Sequence, residues 1–114
     1  IHVDAAVRFQ RGGTAAAICR DSQGAYMGSS SLVIAGVCDP TTLKAIACRE
    51  AISLAQDLNV QHFVVASDCK QVIGDIATGS HGIYGAIIRE IKMRSSPLLC
   101  NFTFESRAQN VKAH

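Results

Sequence analysis

The hydrophobic period of this chain first changes at Asp39-Pro40, and that change restricts its possible folds more than any other feature. Before it, apolar residues recur at every second position. In residues 1–10 (IHVDAAVRFQ), Ile1, Val3, Ala5, Val7 and Phe9 alternate with His2, Asp4, Ala6, Arg8 and Gln10, which predicts a strand. The turn Arg11-Gly12-Gly13 leads to a second strand over 14–20, and Asp21-Ser22-Gln23-Gly24 suits a type I turn into a third over 25–35. Short turns of this kind make an antiparallel meander. Beyond Pro40 the period becomes helical. Thr41 or Thr42 is the expected cap, and Ile46, Ala47, Ala51, Leu54, Ala55 and Leu58 form one stripe over 43–58. Asn59 can end this helix in a left-handed conformation.

The remainder alternates. Residues 62–67 (HFVVAS) suit a buried parallel strand, Asp68 opens a helix over 69–77, a third helix covers 83–93, and 98–105 form a last strand. Residues 107–114 (RAQNVKAH) have helical character. A meander followed by alternating strands and helices implies an α/β fold. The expected sheet is mixed and five-stranded, with the antiparallel meander 1-2-3, parallel strands 4 and 5, and helices on both faces.

At 114 residues, 48% hydrophobic and 18% charged, the chain is expected to form a single globular domain over 1–114. It begins with Ile rather than Met and shows no signal peptide, so it reads as a piece of a longer protein. No apolar run reaches the length of a membrane span, and no membrane partner is expected. The five cysteines are scattered without CxxC spacing, which argues against a metal cluster. It favours a reducing compartment, nucleus or cytoplasm. A net charge of +2 does not by itself indicate nucleic-acid binding, and 5% aromatics without Trp disfavour a base-stacking platform.

Two aspartates stand out. Asp4 lies inside a strand, where its short charged side chain fits poorly: it is either on a solvated face or paired with a cation. Asp68 follows a central strand at its carboxyl end, where open α/β sheets build their sites, and is also placed to cap the next helix. If strands 1 and 4 are neighbours, the two carboxylates converge, and a divalent cation between them relieves their repulsion.

VDAAV, the Gly-Gly turn, ICRDSQG, DPTTLKAIACREAISLA, VVASDCKQVI and RAQNVKAH together resemble the ribonuclease H-like family. The branch they most resemble is associated with plant retroelements and reverse transcriptases. The resemblance implies a ribonuclease H-like fold and a metal-dependent endonuclease that cleaves the RNA of RNA–DNA hybrids. In such enzymes four acidic residues hold two Mg²⁺ or Mn²⁺ ions, one activating water and the other stabilising the leaving oxygen.

By that resemblance Asp4 and Asp68 are metal ligands and catalytic residues. The family's Glu at the start of the long helix falls on Lys44, and its closing Asp falls on His114, an adapted third catalytic group. Glu50 is a poor substitute for the missing Glu. Six residues on, it points about 240° away and lies about 9 Å further along the helix axis, and it is expected to be a solvated residue. Exchanging Glu for Lys alters the local charge by two units, so any Mg²⁺ or Mn²⁺ should bind weakly. Arg8, Arg11, Lys70, Gln71 and Arg107 are candidate nucleic-acid contacts near the expected groove. The loop 78–82 lacks the basic, Trp-containing character with which some family members grip the hybrid. Three readings stay open: a hybrid ribonuclease of reduced activity, a degenerate nucleic-acid-binding module, and a structural domain of a retroelement-derived protein.

Overall fold

The computed structural model describes residues 2–8, 13–34, 39–79 and 82–105. Their order is β1 (His2–Arg8), β2 (Gly13–Arg20), β3 (Tyr26–Ile34), α1 (Pro40–Asp57), β4 (His62–Ser67), α2 (Lys70–Thr78), α3 (Gly82–Ser95) and β5 (Leu99–Phe104). The strands form one sheet in the order β3-β2-β1-β4-β5. Strand β1 runs antiparallel to β2 and parallel to β4, β2 antiparallel to β3, and β4 parallel to β5.

Local chemistry explains the elements. In β2, Gly13, Ala15, Ala17 and Cys19 are buried while Thr14, Ala16, Ile18 and Arg20 are half-buried, the alternation a strand imposes. The Asp21 carboxylate accepts from the backbone N–H of Gln23 and Ala25, each at 2.9 Å, and Gly24 takes φ +85° to complete the turn.

Helix α1 begins earlier than the sequence suggests. Pro40 occupies the first turn, where its fixed φ and missing N–H are harmless, so the capping position falls on Asp39 rather than on Thr41 or Thr42. Its carboxylate accepts from both threonine N–H groups, each at 3.3 Å, and from the Thr42 hydroxyl. The Thr42 hydroxyl is the main reason the Asp39 carboxyl titrates below its ordinary range. At the other end Asn59 takes φ +61°, the left-handed conformation expected of it.

The core lies between α1 and one face of the sheet. Leu43, Ala47, Cys48, Ala51, Ile52 and Ala55 meet Val3, Ala15, Ala17, Cys19, Phe63 and Val65, all at most 1% exposed. The alanines of β2 leave room for the helix to come close, and at Gly13 the approach is limiting. An ideal Cβ there would lie 2.5 Å from both Leu43 methyl carbons. Helices α2 and α3 pack beside α1, adding Val72, Ile76, Ile88 and Ile91. The Arg94 guanidinium ties α3 to α1, donating to Ser53 Oγ and Gln56 Oε1 at 2.8 Å each. All three described helices therefore share one face. The expectation of a helix on the second face rests on residues 107–114, which lie outside the described residues.

Candidate functional site

The carboxyl end of β4 is held in place before any charged group is considered. Ser67 is 1% exposed. Its hydroxyl accepts from the Cys69 N–H at 3.2 Å, and its carbonyl accepts from the Glu105 N–H at 2.9 Å, which fixes the strand end against β5. Asp68 is the next residue and emerges at the rim.

Sequence reasoning gave Asp68 the opening of α2. The cap position instead belongs to Cys69, whose side chain makes no capping hydrogen bond, and the helix starts at Lys70. The Asp68 carboxylate turns to α1, where Lys44 Nζ lies 3.2 Å from Oδ1. Both side chains are about a quarter exposed, at 24% and 23%. The pairing follows from helix geometry. Cys48, one turn after Lys44, is buried beneath the end of β4 against Ser67, so Lys44 reaches the rim directly above it.

Burial pushes the Cys48 thiol up to about 12, while the Ser67 hydroxyl pulls the other way. Since the unfolded thiol ionises near 9.0, its contribution to stability is intact below that pH and declines as pH rises toward 12. Native protein alkylated at about pH 8 should leave Cys48 unmodified by mass spectrometry, and Cys48→Ser should soften the alkaline loss of stability. Rapid labelling of Cys48 in folded protein would contradict this.

The other candidates divide clearly. The backbone of Asp4 pairs with Ala66, two residues before Asp68, so β1 brings that position beside the end of β4. The side chains of Asp4 and Arg8 lie outside the described residues, as do Arg11, Arg107 and His114 entirely. Lys70 and Gln71 are exposed in the first turn of α2, adjacent to Asp68. Lys70 Nζ stands 5.4 Å from the centre of the Phe104 ring, a contact that nothing in the sequence marks because β5 is thirty residues away.

Glu50 does not rescue the acidic set. It is not a solvated helix residue as expected: Ser30 Oγ donates to its Oε1 at 2.6 Å, which binds it to the edge strand β3. Among the described residues no group of three or more His, Cys, Asp or Glu is arranged to hold a metal ion. No described helix is long and apolar enough to cross a membrane.

Comparison with known proteins gives a consistent picture. The family model for reverse transcriptase-like proteins matches residues 2–114. No match is found among curated proteins by sequence search. Among solved structures, the chain is similar to the N-terminal RNase H domain of a Mycobacterium tuberculosis protein. That alignment has a TM-score of 0.81 at 16% identity and covers 98% of this chain and 87% of the other. It is also similar to RNase H1 from the halophilic archaeon Halobacterium salinarum, with a TM-score of 0.75 at 15% identity, covering 96% and 88%. LC11-RNase H1, solved in complex with an RNA/DNA hybrid, gives 0.79 at 14% identity, covering 97% and 87%.

Proposed function

The chain belongs to the reverse transcriptase-like family and carries an RNase H-like domain, and from that premise we propose that it binds RNA–DNA hybrids with little or no hydrolysis of the RNA strand. The observation that carries this reading is the Lys44–Asp68 ion pair at the carboxyl end of β4. Of the four positions that the family resemblance implies for Mg²⁺ or Mn²⁺, two are carboxylates, Asp4 and Asp68, and the second already has an ammonium at 3.2 Å. Two-metal cleavage needs both ions held together near the scissile phosphate.

The fold nonetheless keeps a docking edge. Lys70 and Gln71 are exposed beside the pair, in the first turn of α2, where a cationic and an amide side chain suit phosphate oxygens. The hybrid complex of LC11-RNase H1 supports a hybrid as the nucleic acid to test.

Labelled hybrid incubated with Mg²⁺ or Mn²⁺ tests the proposal directly. Wild type should bind hybrid in a salt-sensitive way and cleave it no faster than Asp68→Asn, whereas Lys44→Glu, which restores a carboxylate, should cleave measurably. Wild-type cleavage abolished by Asp4→Asn would show a working ribonuclease instead. Absence of hybrid affinity at low salt would leave a structural domain.

A further inference from the structure

We infer that Lys44 is the built-in cation of this site: its ammonium takes the place of a divalent ion on Asp68 and meets a nucleic-acid phosphate directly. The inference rests on the proposed hybrid binding for its phosphate half; its metal half stands on the geometry alone.

The residues present do not fit a divalent metal centre. Mg²⁺ asks for near-ideal octahedral oxygen coordination and surrenders water reluctantly. Here the described oxygen donor, Asp68, has a positive charge 3.2 Å from Oδ1. A divalent ion seated on that carboxylate would have to displace Lys44 or lie within a few ångströms of it, and like charges so placed repel. Displacement would not restore the acidic set, because the helix position that supplies a further carboxylate in the resemblance is Lys44 itself.

A role in stability alone explains the pair poorly. For a pair only about a quarter exposed, the cost of desolvating both charges and of ordering a long lysine offsets much of the attraction. What the pair does achieve is neutrality. An unpaired Asp68 at the rim would repel the phosphates of any bound strand, and Lys44 cancels that charge. An ammonium also has three N–H donors, and Asp68 Oδ1 engages one direction only, which leaves donors for a phosphate oxygen at the quarter-exposed rim. Lys70, exposed in the first turn of α2, adds a positive charge beside this neutral pair.

Two measurements test the two halves. The first is Mn²⁺ binding without nucleic acid, followed by the loss of free-ion paramagnetic resonance signal. Wild type should take up no Mn²⁺ at concentrations where Lys44→Glu binds, a difference of at least about tenfold in affinity. Mn²⁺ uptake by wild type that Asp68→Asn removes would overturn the inference.

The second is hybrid affinity by fluorescence anisotropy in Mg²⁺ and in EDTA. Wild type should bind equally in both. Lys44→Gln should weaken binding and lower the slope of log affinity against log salt by about one, with Lys44→Arg near wild type. Circular dichroism of each variant separates these effects from misfolding. Hybrid binding that requires Mg²⁺, or a Lys44→Gln slope equal to that of wild type, would overturn the phosphate half. If no hybrid is bound in either buffer, the proposed function fails, and the Mn²⁺ titration still decides whether Lys44 excludes the metal.

Discussion

Replacing Phe63 by alanine is expected to destabilise the fold by about 3–5 kcal/mol, the largest effect expected of a single truncation among the described residues. Phe63 is 1% exposed and heads the fully buried side chains by volume. It sits on β4, which lies between β1 and β5, so a cavity there loosens the strand that delivers Asp68. Small domains are stable by only about 5–15 kcal/mol, so the loss consumes a large fraction of the total. Urea denaturation followed by circular dichroism should show a lower midpoint with an unchanged slope. Phe63→Leu keeps most of the volume and should cost much less. A cost below about 1 kcal/mol for the alanine variant would show that the core does not centre on this ring.

Gly13→Ala is expected to destabilise by about 1–3 kcal/mol, against the usual direction for such a change in a strand. The added methyl would lie 2.5 Å from both terminal carbons of Leu43, a fully buried side chain, so something must shift. The clash is relieved either by moving Leu43 off its rotamer or by lifting the start of α1 away from β2. The second route displaces Lys44, the adjacent residue, and should weaken its hold on Asp68. A double-mutant cycle with Leu43→Ala separates the causes: in that background Gly13→Ala should cost little, because the atoms it strikes are gone. Equal cost in both backgrounds would trace the effect to the strand backbone instead.

Most of the architecture was legible in the sequence because it follows from local periodicity. Strand β4 falls at the residues its apolar run marks, and the other described elements differ from expectation by at most three residues at their ends. The two caps differ from expectation for separate reasons. At α1, Pro40 moved the cap back to Asp39, and at α2 the cap passed to Cys69 because Asp68 had a partner elsewhere. Side-chain competition between a local cap and a distant ion pair cannot be read from a window of ten residues.

The site was legible in outline for the same reason. Register places Asp4 beside Ala66, and Lys44 was recognisable as the residue at an acidic position. Its pairing with Asp68, the tie between Glu50 and Ser30, and the contact of Lys70 with Phe104 are tertiary events. They depend on which face of α1 meets which strand, and on β5 closing beside β4.

The position of β1 in the middle of the sheet bears on how the molecule assembles. Strands β1, β2 and β3 follow one another closely in sequence and can pair soon after they leave the ribosome. The other side of β1 must wait, since His2 pairs with Val64 and Asp4 with Ala66 across the whole of the meander and α1. Loop-closure entropy makes that contact the slow one, as it does wherever sequence-distant strands must meet. The Lys44–Asp68 ion pair joins α1 to the residue that follows the fourth strand, so it ties the element after the meander to the strand that completes the pairing of β1.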